Sequence, residues 1–248
     1  MPRISYQLYC SRNFPPLADT LHMLADTGYT EVEGYGGLFD DMDALHAGLD
    51  ASGLRMTSAH VGLDMVEDDT VATLAKIKAL GCAKVFVPYV MPDARPTDAA
   101  GWAAFGARLA AAGKPFRDAG LTFGWHNHDF ELVATDTGAR PLDLIAAASE
   151  DLMLELDLGW VHRAGHDPVE WIKTYAGRVS AVHVKDIARP GECTDEDGWA
   201  DVGQGIMDWA AIHAALLAAG VDHYVVEHDN PSDHLRFARR SLAAIKDF

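Results

Sequence analysis

Short apolar runs alternate with amphipathic ones along the whole chain. The strand-like runs are ISYQLY (4–9), TEVEGY (30–35), RMTSAHV (55–61), KVFVPYV (84–90), LTFGWHN (121–127), LMLELDL (152–158), VSAVHVK (179–185) and HYVVEH (223–228). They are rich in β-branched and apolar residues, as strands are. Between them lie Ala- and Leu-rich stretches with helical spacing. PPLADTLHMLADTG opens on proline and stops at Gly28, where a C-cap glycine belongs. DDTVATLAKIKALG opens on acids, which suit the positive end of a helix dipole, and stops at Gly81. DWAAIHAALLAAG stops in the same way at Gly220. The pattern predicts eight strands, each followed by a helical segment.

Strands that alternate with helices imply a parallel sheet. Eight units with no spare element predict closure into a (β/α)8 barrel, a TIM barrel of the α/β class. The 248 residues match the size of one such barrel. No composition shift or linker marks a boundary, so residues 1–248 read as a single domain. The architectural alternative is a doubly wound open sheet, but no G-x-G-x-x-G follows the first strand.

Charge narrows the partners. Lysine and arginine number 20 against 37 acids, a formal charge of −17. That balance argues against nucleic acid and anionic membranes, whose phosphates need cationic contacts. It tolerates a divalent cation and a neutral substrate such as a sugar. Cys10, Cys82 and Cys193 are odd in number and widely spaced, which points to a reducing, cytoplasmic setting without a disulfide framework. The first residues do not read as a signal peptide, and no run is long enough to cross a membrane. Whether identical copies assemble is left open.

In a barrel of this kind the active site lies at the C-terminal ends of the strands. Those ends carry an excess of polar groups. The second strand ends with Glu33, the third with His60, and the fifth with His126, Asn127 and His128, followed by Glu131. The sixth ends with Asp157, the seventh with His183, Lys185 and Asp186, and the eighth with Glu227, His228 and Asp229. Side chains two apart share a strand face, so His126 pairs with His128, Glu155 with Asp157, and His183 with Lys185. Glu131, Asp157, His183 and Glu227 offer three carboxylates and one imidazole from four consecutive strands. That set suits one divalent ion: Mn²⁺, Co²⁺, Zn²⁺ or Mg²⁺. The bland readings are solvated His22, His46 and His213 on helices, rim positions for His162 and His166, and a structural Glu155 paired with a helix. His60 reads equally as a hydrogen-bonded core residue or as a site residue.

GWHNHDFEL, LELDLGWVHRAGHDPVEWI, VSAVHVKDI, DVGQGIMDW and YVVEHD resemble the sugar phosphate isomerase/epimerase family, the xylose isomerase-like TIM barrels. The likeness spans nearly the whole chain and is strongest from residue 120 onward. It implies a divalent ion held at the barrel mouth by residues of strands five to eight. Asp157, His183 and Glu227 match three of its ligands. Many relatives carry Glu-Asn-His at the end of the fifth strand, where this chain has His126-Asn127-His128. Glu131 is then expected as the first ligand, if the chain after His128 folds back, and His126 is the competitor.

The resemblance also implies the chemistry. A Lewis-acid ion binds a carbonyl and a neighbouring hydroxyl, and a base removes the proton α to the carbonyl to give an enediolate. Returning that proton elsewhere isomerises or epimerises the substrate. Glu131 and Glu227 are the candidate bases. Lys185 is expected to assist catalysis, and His60, His126, His128, Glu33 and Asp229 are expected to bind substrate. The expected substrate is a sugar, keto-sugar or cyclitol. Dehydration or lyase cleavage of an inosose or 3-keto-glycoside is the alternative on the same site, and a non-catalytic sugar-binding barrel is a further one.

Overall fold

A computed structural model describes residues Pro2–Phe248. The barrel strands are β1 (Arg3–Gln7), β2 (Glu31–Tyr35), β3 (Arg55–His60), β4 (Lys84–Val87), β5 (Thr122–His126), β6 (Met153–Asp157) and β7 (Val179–Val184). Two short strands come next, β8 (Asp186–Ile187) and β9 (Trp199–Ala200), and then β10 (His223–Val226), the eighth strand of the barrel. The sheet closes in the order β1-β10-β7-β6-β5-β4-β3-β2, with every neighbouring pair parallel. All eight expected strands are present, and the single-domain (β/α)8 barrel stands. The first expected helix runs Leu17–Thr27 and ends on Gly28, whose φ of 106° lies in the left-handed region that glycine alone enters without strain.

The outward strand faces carry the apolar core. Val32, Trp125, Leu156, Val182 and Tyr224 are fully or almost fully buried there with the surrounding helices. The inward faces are polar, unlike the branched apolar filling usual in such barrels. Glu33 on β2 meets His183 on β7, and His60 on β3 meets Glu155 on β6. Neither pair joins neighbouring strands, so both contacts cross the barrel axis. Nearer the N-terminal end, Ser5 on β1 bonds His223 on β10 at 2.8 Å.

Between β7 and β10 the chain makes a small antiparallel ribbon, with Asp186 opposite Ala200. Asp186 organises this insertion. Its buried carboxylate accepts hydrogen bonds from the amides of Ile187, Gly203, Gly205 and Met207 and from the Trp209 indole. Arg236 of the last helix clasps the same insertion through Glu196 at 2.7 Å and Asp201 at 3.0 Å. A place at a strand end groups Asp186 with the mouth residues in the sequence. Strand alternation instead turns it away from Lys185 and into this structural role.

Gly124 sets the approach of β5 to β6. It lies opposite Met153, and a Cβ built there would fall well inside contact distance of the Met153 carbonyl oxygen. Backbone cannot yield as a flexible side chain can. Gly124→Ala is therefore expected to cost about 1–3 kcal/mol or more through overpacking, read as a drop in the urea midpoint at unchanged slope.

Candidate functional site

A cavity of about 480 Å³ opens at the C-terminal ends of the strands. His60, His126, His128, His183, Lys185, Glu227 and Asp229 line it, and Tyr9, Tyr35, Tyr89 and Trp160 form aromatic walls. The strand periodicity explains the lining. His126 and His128 face inward together, as do His183 and Lys185.

Two clusters meet at His183. The first lies at the mouth. Asp157 Oδ2 and His183 Nδ1 are 3.7 Å apart, and Glu227 completes a group whose donor atoms all fall within 4.8 Å of one another. Asp157 Oδ2 and His183 Nδ1 are buried without a hydrogen-bond partner. Glu227 Oε2 meets only the Lys185 ammonium, at 2.8 Å and off the hydrogen-bonding line. Buried polar atoms left unpaired are costly, and three that converge on one point suit a cation between them. The donor set of two carboxylates and one imidazole fits a divalent ion with positions left open for water or substrate.

The second cluster lies beneath, on the barrel axis. Glu155 Oε2 is 2.5 Å from His60 Nε2 and 3.3 Å from both His126 Nδ1 and His183 Nε2. Glu33 Oε1 lies 2.8 Å from His183 Nε2, and Gln7 and Ser58 donate to the Glu33 carboxylate at 2.9 and 2.5 Å. With the proton on Nε2, the contact to Glu33 leaves the Nδ1 lone pair for an ion at the mouth, the usual way a second group orients a ligand histidine. Burial drives the Glu155 carboxyl upward, but the His183 and His60 imidazoles outweigh it and hold the group well below the carboxylate range. Burial, then the charge of Glu155, raises Glu33. Burial alone would lower His183, yet Glu155 and its neighbouring carboxylates raise it well above the ordinary value.

The other cations and imidazoles follow from the same charges. Lys185 is fully buried, yet the Asp229, Glu227 and Asp157 carboxylates overcome its desolvation and hold the ammonium above the usual lysine range. Its Nζ also lies 4.0 Å from the Trp199 ring centre and 4.8 Å from that of Trp160. Burial, then the Lys185 charge, pushes His128 down to about 3. Burial, then the His183 charge, pushes His126 well below its ordinary value. Burial lifts Glu227 to about 7, against the pull of Lys185.

Two expected placements change, those of Glu131 and Glu33, while His126 lines the cavity. Glu131 does not fold back to the mouth. The chain after His128 turns through a short 3-10 helix at Phe130–Leu132, and Glu131 swings to the outer side of β5. There its oxygens accept from the Trp125 indole at 2.9 Å and the His128 amide at 2.9 Å. Glu33 lies under the cavity floor, bonded to His183, and is absent from the lining. His126 belongs to the lower cluster, its Nδ1 3.3 Å from Glu155, and not to the mouth group. Glu155, read as structural, sits at the centre of the lower cluster; its spacing of two from Asp157 is the signal the sequence offers. Gln7, Tyr9, Tyr35 and Tyr89 come from strand ends and loops that carry no such signal. Trp160 lines the cavity, while Trp125, Trp199 and Trp209 are buried packing residues.

The model of the xylose isomerase-like TIM barrel family matches residues 21–248. The chain belongs to that family. The barrel superposes on a sugar phosphate isomerase/epimerase from Parabacteroides distasonis with a TM-score of 0.82 at 20% identity, covering 99% of this chain and 94% of the other. It superposes on a 3-keto-D-glucoside 4-epimerase from E. coli with a TM-score of 0.72 at 15% identity, over 100% of both chains. A third similar structure, the IOLI protein with a zinc atom bound, gives a TM-score of 0.75 at 15% identity over 100% of this chain and 97% of the other. No curated protein matches the chain by sequence. Members of this family with such names are mostly enzymes. Among the described residues no helix is long and apolar enough to cross a membrane.

The placement of Glu131 carries a test. Burial lifts its carboxyl to about 8 in the folded chain, against the hydrogen bonds from the His128 amide and the Trp125 indole. The folded state then holds a proton that the unfolded state releases near its ordinary value of about 4.3. The stabilisation is whole below that value and is lost as pH rises towards about 8. Glu131→Gln cannot ionise. Its thermal midpoint relative to the parent should shift in the variant's favour from pH 5 to pH 8, with metal content by elemental analysis unchanged.

Proposed function

We propose that this protein is a divalent-metal-dependent isomerase or epimerase of a sugar, keto-sugar or cyclitol. The observation that carries the reading is the convergence of Asp157 Oδ2, His183 Nδ1 and Glu227 Oε2, buried and without hydrogen-bond partners, beside a 480 Å³ cavity that His183 and Glu227 line. When bound there, a Mn²⁺, Co²⁺, Zn²⁺ or Mg²⁺ ion supplies Lewis-acid polarisation of a substrate carbonyl. A zinc atom is bound in a structure of the same fold, which supports a divalent metal in this barrel.

The chain's own residues account for the rest. Glu227 lines the cavity and is the group placed to take the proton α to the carbonyl and to return it. Lys185 stays charged beside three carboxylates, so it offsets negative charge developing on substrate oxygen and does not act as the proton donor. His128, neutral and set in the cavity wall, donates or accepts a hydrogen bond from a ring hydroxyl. Trp160 and Tyr89 offer apolar faces to the ring's C–H groups. Asp229 holds Lys185 in place through a direct ion pair and faces the cavity as well. Glu131 has no part in this proposal. The net charge of −17 favours a small neutral substrate over nucleic acid. All three cysteines are free, which suits a cytoplasmic setting.

Solvent deuterium exchange into a panel of keto-sugars and inososes, followed by NMR with Mn²⁺ added, tests the reading. Exchange α to the carbonyl is expected for at least one substrate. Asp157→Asn should lose both ion and exchange. Glu227→Gln should slow exchange by roughly 10²–10⁴-fold or more. Lys185→Met should lower turnover strongly and leave metal content intact. Binding of sugars without exchange in any of them would instead make this a carbohydrate-binding barrel.

A further inference from the structure

The lower cluster is more than a support for His183. His60, His126, Glu155 and His183 each offer one ligand atom, and these atoms all lie within 4.8 Å of one another. Three imidazoles and a carboxylate form a nitrogen-rich donor set that suits Zn²⁺ or Co²⁺ better than Mg²⁺. A tetrahedral ion with bonds near 2.1 Å sets its donors about 3.4 Å apart. Two of the edges already have that length, at 3.3 Å from Glu155 to His126 and 3.3 Å from Glu155 to His183. The third, from Glu155 to His60, is closed to 2.5 Å by a hydrogen bond, and an ion there takes the place of the proton.

Two further observations point to a cation. His126 is only 3% exposed, and its Nδ1 has no hydrogen-bond partner although it faces the cluster. Glu33 and Glu155 together place two negative charges on the barrel axis, both fully buried. One divalent ion balances that charge without any of the three imidazoles becoming a cation. Gln7 and Ser58 complete the surroundings by holding Glu33, whose Oε1 lies 3.2 Å from His60 Nε2 and 2.8 Å from His183 Nε2. A path for the ion exists, because His60, His126 and His183 all line the open cavity above.

We infer that the chain holds a second metal site inside the barrel, on His60, His126, His183 and Glu155, with the His183 ring shared between it and the mouth. His183 then offers Nε2 inward and Nδ1 outward as a bridging imidazolate. The proton it gives up on binding both ions goes to solvent, as metal binding to imidazole requires. The inference goes beyond the one-ion reading of the mouth and does not depend on the reaction catalysed there.

The test counts metal. The purified chain is stripped with chelator, loaded with Zn²⁺ alone, desalted and analysed for zinc. Two equivalents are expected for the parent chain and one each for Glu155→Gln and Asp157→Asn. Loading with Co²⁺ adds a second readout: the intense visible absorption of a four-coordinate, nitrogen-rich ion should vanish in Glu155→Gln and persist in Asp157→Asn. One equivalent that Asp157→Asn removes would overturn the inner site and leave the mouth reading standing. One equivalent that Glu155→Gln removes and Asp157→Asn keeps would sustain the inner site and overturn the mouth ligand set. Two equivalents untouched by Glu155→Gln also overturn it. If Glu155→Gln does not fold, His60→Gln takes its place, and the count on the parent chain decides by itself, since a single equivalent together with its loss in Asp157→Asn needs no inner variant.

Discussion

Glu33 and Glu155 sit on the barrel axis with no access to water, and the rest of the site answers their charge. Buried carboxylates demand partners, and the partners available across a closed barrel are side chains from distant strands. His60, His126 and His183 supply them from β3, β5 and β7. The result is a fixed rotamer: once His183 gives Nε2 to the axis, its Nδ1 has one direction left, towards Asp157 and Glu227. The mouth geometry therefore follows from the filling of the barrel beneath it. A conventional apolar interior would leave the His183 ring free to choose either nitrogen.

Much of this is legible in the chain. The eight apolar runs locate the strands because a parallel strand is buried on both faces and turn residues bound it. The rule that such sites open at the C-terminal strand ends then selects Asp157, His183, Lys185 and Glu227 for the mouth. Direction after a strand stops is not legible. Glu131 lies five residues past His126, and a turn of one 3-10 helix sends its carboxylate to the Trp125 side of the sheet. Spacing along a strand fixes a face, whereas spacing through a turn does not. Glu155 escapes a sequence reading for another reason. An acid in the middle of a strand looks like a misfit until its compensating histidines are known, and His60 lies 95 residues away.

The electrostatics of the mouth are set in opposition. Asp157, Glu227 and Asp229 surround one ammonium, so Lys185 is the local counter-charge in a chain of strongly negative balance. Two indole faces shield it from water. Such an ammonium is strongly held and poorly hydrated, which makes it a fixed positive pole beside any oxygen that enters the cavity. A likeness of 0.82 in TM-score at only 20% identity shows how far the sequence can diverge while the barrel itself is kept.

Lys185 and Asp186 are adjacent in the chain and opposite in every other respect. One turns its ammonium into the mouth; the other turns its carboxylate towards five donors that shape the neighbouring insertion. A strand has only two faces, so inserting or deleting a single residue before them would exchange the two. An anion would enter the mouth among three acids, and a cation would face a nest of N–H groups. Both errors arise from one event, and no second substitution nearby repairs both. Loops of this barrel can change length without that penalty, while the phase of β7 is locked to the single residue.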